Sequence, residues 1–135
     1  MQFIDTNIFL RFLTKDDPAK ADRCRKLLQS ATDGDLKLYT TDLVIAELIW
    51  VLQSPKTYNL SPAEIFKIII PLLTIKNLYF PCKNDFPDIM ELFQTENIDF
   101  IDAYNSVIMR GRKIDTIYSY DKHFDQLPDV VRKEP

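Results

Sequence analysis

Short apolar runs alternate with capped helical segments along the whole chain, and this alternation restricts the fold more than any other feature. Gln2–Ile4, Leu36–Tyr39, Leu78–Phe80 and Thr116–Ser119 read as strands, with Val130-Val131 as a short fifth. A short helix follows the first strand, from about Asn7 to Leu13. Asp17-Pro18 then supplies an N-cap and a proline at the first helical position. Ala21, Cys24, Leu27, Leu28 and Ala31 line one face of that helix, and Asp33-Gly34-Asp35 ends it. Thr40 or Thr41 caps a helix running to about Gln53, which Ser54-Pro55 breaks. Ser61-Pro62-Ala63-Glu64 is a capping box, and the helix behind it carries Ile65, Phe66, Ile68, Ile69, Ile70, Leu72 and Leu73, with Pro71 as a kink point. Helices over about Phe86–Thr95 and from Asp99 to near Gly111 complete the pattern. Such alternation predicts an α/β fold, a mostly parallel sheet with helices on both faces. Ligands of such sheets bind outside the carboxyl ends of the strands.

The totals narrow the function. A length of 135 residues suits one domain over 1–135, with no linker, repeat or biased segment. Two Gly argue against a barrel of tight turns. A net charge of −3 gives no general attraction for nucleic acid, so any such binding needs a local patch or a metal. Cys24 and Cys82 lie far apart without metal-like spacing and are expected to be reduced, core-filling thiols of a cytoplasmic protein. The N-terminus shows no signal-peptide pattern, and the apolar runs, interrupted by Glu47 or Pro71, are too short for a membrane span.

Four carboxylates interrupt apolar segments. Asp5 ends Phe3-Ile4, Glu47 lies within Leu43–Leu52, Asp102 follows Phe100-Ile101, and Asp121 follows Ile117-Tyr118-Ser119-Tyr120. Burying an unpaired carboxylate is costly, so their recurrence suggests one shared acidic pocket for a hard divalent cation. Each has a plainer explanation. Asp5 can cap the helix after it, although Thr6 and Asn7 serve equally well. Glu47 can sit in a buried ion pair or on an exposed stripe. Asp99 and Asp102 have the spacing of a capping box, which also sets both on one side of a helical turn. Asp121, His123 and Asp125 can belong to a solvated loop. No phosphate-cradling glycine motif or nucleophile elbow is present, and one His with two scattered Cys disfavours zinc. Oxygen ligands remain, and they suit Mg²⁺ or Mn²⁺.

Four segments, in order, carry a resemblance. These are Phe3-Ile4-Asp5-Thr6-Asn7, Thr41–Leu48 around Glu47, Asp99-Phe100-Ile101-Asp102-Ala103, and Tyr118–Asp125 around Asp121. With them the chain resembles the PIN-domain ribonucleases, most closely the toxin components of VapBC-type toxin–antitoxin systems. The resemblance implies a three-layer α/β/α sandwich around a mostly parallel five-stranded sheet. It implies an acidic quartet of Asp5, Glu47, Asp102 and Asp121 that binds metal and catalyses, with Asp99 as a further metal ligand. Thr6 and Ser119 would steady the carboxylates, and Asp125 is a second candidate for the fourth position. The activity implied is an Mg²⁺- or Mn²⁺-dependent endoribonuclease that hydrolyses RNA phosphodiesters with a metal-activated water.

The partners implied are RNA, a cognate antitoxin and a second copy in a homodimer. Ile8-Phe9-Leu10 and Ile65–Leu73 offer apolar surface for interfaces as well as for the core. Unpaired RNA suits a cleft best, with Arg11, Lys15, Arg110, Arg112, Lys113 and Lys122 as candidate phosphate contacts. Competing readings are a catalytically inactive PIN-like RNA- or protein-binding module, a phosphoacceptor receiver-like domain and a DNA or flap nuclease. The receiver reading lacks the expected Asp after Leu78–Phe80.

Overall fold

The computed structural model describes residues 1–135, which divide into two compact units, Met1–Asn84 and Asp85–Pro135. The first contains β1 (Gln2–Phe3), α1 (Thr6–Thr14), α2 (Pro18–Asp33), β2 (Leu38–Tyr39), α3 (Asp42–Gln53), α4 (Pro62–Leu73) and β3 (Leu78–Tyr79). The second contains α5 (Phe86–Thr95), α6 (Phe100–Gly111), β4 (Thr116–Tyr118), a 3-10 turn at Lys122–Gln126 and β5 (Val131–Lys133).

In the first unit β2 is the central strand, with β1 and β3 parallel on either side. Leu38 pairs with both Gln2 and Leu78 and is wholly buried. The ladder runs one residue past the formal strands, because Ile4 N–H donates to Tyr39 O and Thr40 N–H to Tyr79 O, both at 2.9 Å. The buried Thr40 hydroxyl adds a 3.0 Å bond to Ile4 O, joining the ends of β1 and β2. Strands this short hold few hydrogen bonds, so helix packing carries most of the burial. Phe9, Leu28, Ile45, Leu48, Ile49, Leu52, Ile65 and Ile69 are all buried. The helix ends follow the local signals. Asp17 accepts Lys20 N–H, Thr41 accepts Val44 N–H, and Ser61 and Glu64 form the reciprocal capping box. Pro71 lies in the last turn of α4, which ends two residues later at Leu73.

In the second unit α5 and α6 pack through Phe86, Phe93 and Phe100. The Phe93 and Phe100 rings meet edge to face at 5.9 Å. Thr116–Tyr118 pairs in parallel with Val131–Lys133, and the intervening segment supplies the crossover that parallel strands require.

The α/β class and the parallel strand pairing agree with expectation, but a single five-stranded sheet does not form. The strands make one three-stranded and one two-stranded sheet. With three residues each, β4 and β5 satisfy their ladder through one another, and the sequence signal for β5 says nothing about its partner. The segment at Lys122–Gln126 is a 3-10 turn and not an open loop. No helix is long and apolar enough to cross a membrane.

Gly34 ends α2 at φ 98°, donating its N–H to Ser30 O. A Cβ there would meet nothing nearer than Asn77 Nδ2 at 4.0 Å, so the cost of adding one is conformational. Gly34→Ala is expected to lower unfolding free energy by about 1 kcal/mol in urea titration, with an unchanged slope.

Candidate metal centre

Asp5 directly follows β1 and forms the N-cap of α1, with Oδ1 accepting Asn7 N–H at 3.1 Å. It is exposed, so the capping role is real and leaves the rest of the carboxylate in solvent. Thr6 is buried, and its hydroxyl donates to Glu47 Oε2. This bond orients the Glu47 carboxylate from a residue adjacent to Asp5. The first unit therefore brings Asp5 and Glu47 into one neighbourhood.

Glu47 itself is exposed, and so are the apolar residues beside it on α3, Leu43 at 80% and Trp50 at 68%. The opposite face of α3 is buried through Ile45, Leu48, Ile49 and Leu52. Of the two plainer readings of Glu47, a buried ion pair or an exposed stripe, its exposure fits the second. A helix apolar on every side does not reveal in sequence which side meets the core. Asp42, in the first turn of α3, accepts Cys82 N–H at 3.1 Å and ties this helix to the segment after β3.

The second unit gathers three carboxylates. Asp99 holds the N-cap position of α6 but makes no side-chain capping bond, so the capping-box reading of Asp99 and Asp102 fails. Asp102 is half-buried on the first turn of α6. Burial pushes its carboxyl pKa up, and the negative charges of Asp121 and Asp99 push it further in the same direction. Asp121 follows β4 and caps the 3-10 turn. Its Oδ1 accepts His123 N–H at 2.8 Å and lies 2.7 Å from His123 Nδ1. The His123 backbone N–H holds Asp121 below its ordinary pKa, and the imidazole acts in the same sense.

Ser119 does not touch the Asp121 carboxylate. Its Oγ accepts Asp121 N–H at 3.0 Å and shapes the loop instead. Asp125, the second candidate for the fourth acidic position, is held by Arg132, with Nε to Oδ1 at 2.8 Å and a longer second bond from Nη2 to Oδ2. Arg132 also donates to Ser119 O and to Glu134. This organising role of Arg132 carried no local sequence signal, because its partners are assembled by β4–β5 pairing. Among the expected phosphate contacts, Arg110 is paired with Asp129 at 3.2 Å.

Within neither unit do three His, Cys, Asp or Glu side chains already form a metal-ligand set. The donor chemistry nevertheless fits a hard cation. All the candidates are carboxylates, the oxygen donors that suit such an ion, and at Asp102 the charges of Asp121 and Asp99 add to burial in disfavouring the ionised form.

The sequence profile of the PIN domain matches residues 3–130. The chain belongs to the PIN-domain family. PIN domains are generally nucleases that use divalent ions such as Mg²⁺, so membership gives this chain a nuclease-type function on nucleic acid. A search of curated proteins finds no match.

Two stability outcomes test these assignments. Asn caps helices as well as Asp, so Asp5→Asn should unfold at nearly the native temperature, whereas Asp5→Ala should cost about 1 kcal/mol. For Asp102 the folded-state pKa lies above the unfolded value. Its stabilising contribution is therefore present at low pH and is lost as pH rises through the folded pKa. Asp102→Asn should raise the melting temperature of metal-free protein near pH 7, by a margin that shrinks as pH falls through the carboxylate range. Thermal scans across that range check the sign.

Proposed function

We propose that residues 1–135 act as a single PIN nuclease domain, a divalent-metal-dependent endoribonuclease that serves as the cytoplasmic toxin of a type II toxin–antitoxin pair. The observation that carries this reading is the PIN profile over residues 3–130, which spans all four acidic motif segments, and the placing of Asp102 near Asp99 and Asp121 agrees with it. A half-buried carboxylate facing two others is poorly stabilised unless a cation joins it. Asp5, Glu47, Asp102 and Asp121 would hold that ion, with Asp99 as an accessory ligand. When bound, Mg²⁺ or Mn²⁺ supplies positive charge for the phosphoryl oxygens and makes water acidic enough to serve as nucleophile near neutrality.

The residues of the chain prepare for that event. Thr6 fixes one Glu47 oxygen and leaves the other free. His123 fixes Asp121 Oδ1 through its backbone N–H and its ring. The raised pKa of Asp102 means that cation binding must displace a proton as pH falls, so metal affinity should weaken on the acid side. Without the cation these carboxylates repel RNA phosphates, which makes activity strictly metal-dependent.

The toxin assignment rests on the four motif segments in their order. An antitoxin and a second copy are the partners proposed. Leu43 and Trp50, exposed on either side of Glu47, favour a partner that covers α3. The stretches first considered for interfaces serve mainly the core, since Phe9, Ile65, Ile69 and Leu72 are buried.

Incubating purified protein with a mixed cellular RNA pool tests the activity. Discrete products are expected with Mn²⁺ or Mg²⁺ and none with EDTA, and Asp5→Asn should reduce the rate by at least about 100-fold. Products that persist in EDTA would refute the metal mechanism. Absence of cleavage with either ion would favour the binding-module reading.

A further inference from the structure

A groove of about 580 Å³ lies between α1 and α2 in the first unit, and three cations line it, Arg11, Lys20 and Arg23. Its remaining surface includes Ile8, Leu27 and the polar Asn7. In a chain of net charge −3, three cations around one apolar-floored groove represent a strong local reversal of sign. Neighbouring carboxylates offset it only in part, chiefly Asp17, whose charge reaches both Lys20 and Arg11. Asp22 is taken by Arg25 at 3.0 Å and Lys26 at 2.7 Å, and Asp16 accepts the Tyr58 hydroxyl at 2.7 Å. Asp17 caps α2 through Lys20 N–H and lies 3.7 Å from the Lys20 ammonium, a loose pair that leaves ammonium donors free. Neither Arg11 nor Arg23 has a carboxylate within ion-pairing distance.

We propose that this groove is a phosphate-binding track for the RNA strand, engaged through Arg11, Arg23 and Lys20. The proposal rests on the RNA-nuclease reading above and deepens it. Guanidinium groups match phosphate geometry with paired donors, and an apolar floor accommodates the faces of ribose and bases. The groove is also continuous with the candidate centre along one helix. Asp5 caps α1, Asn7 lies on its first turn, and Arg11 is six residues beyond Asp5, about 9 Å along the axis at the helical rise. A strand with one phosphate beside Asp5 would thus present its flanking phosphates to α1 and α2. An acidic protein segment is the competing occupant, but it lacks the regular phosphate spacing and flat bases that suit this lining.

The test measures binding apart from cleavage. Asp5→Asn protein in Mg²⁺ buffer is titrated with a short fluorescent single-stranded RNA, and anisotropy is followed over a range of salt. Adding Arg11→Gln and Arg23→Gln together should weaken binding roughly tenfold and flatten the log K against log salt slope by about 1.4, the value for two phosphate contacts on a single strand. Arg25→Gln, on the same helix but paired with Asp22, should bind RNA as its parent does. Circular dichroism melting confirms that each variant folds. Unchanged affinity and slope in the double variant would overturn the track, as would failure of the parent to bind RNA. Tighter binding of an oligoglutamate that displaces the RNA would overturn it in favour of an acidic polypeptide. RNA binding that depends on Arg11 and Arg23, in a chain whose native form cuts nothing, would retain the track and refute only the nuclease reading.

Discussion

The hydrogen bonds that hold the end of β1 beside the end of β2 organise the first unit. Ile4 N–H to Tyr39 O and the Thr40 hydroxyl to Ile4 O set these two strand ends in register. Helix α1 begins immediately after one end and α3 immediately after the other. Thr6 and Glu47 are 41 positions apart in sequence, yet this register brings them into hydrogen-bonding contact. The carboxylate of Glu47 is thereby oriented from the residue next to Asp5. The carboxyl ends of β1 and β2 thus present an oriented carboxylate, at the edge where ligands of parallel sheets generally bind.

The second unit adds a different constraint. Asp99, Asp102 and Asp121 carry like charges near one another, and the cost of that crowding falls on Asp102, the half-buried member. Asp121 is compensated by the His123 backbone N–H and imidazole, whereas Asp102 has no comparable donor. Such unequal compensation separates the protonation behaviour of neighbouring carboxylates. On the proposed metal-dependent reading, a bound cation would relieve that repulsion, which a fully paired acidic cluster would not need. Asp125 illustrates the contrast. Arg132 donates to both of its oxygens.

Much of this was legible along the chain. The caps at Asp17 and Ser61, and a cap at Thr40 or Thr41 that the structure places at Thr41, were visible because a cap depends on residues within one turn. The helices accordingly lie where the apolar spacing indicates. The ordered motifs around Asp5, Glu47, Asp102 and Asp121 pointed to the family that the profile over residues 3–130 supports. Other features were hidden. Glu47 lies on a helix apolar all round, so its exposed side could not be read from spacing. Asp99 has the spacing of a capping residue but makes no capping bond.

The sequence by itself determined the helix boundaries, the strand–helix alternation and the set of candidate carboxylates, because each depends on neighbours close in the chain. Only the tertiary structure decided how the strands divide into two sheets, which face of α3 is exposed, and that Arg132 secures Asp125. It also decided that Arg11 and Arg23 line one groove without carboxylate partners. The physical reason is common to all of these. Burial, ion pairing and electrostatic potential depend on which distant segments are packed together, and local residue pattern does not encode that information.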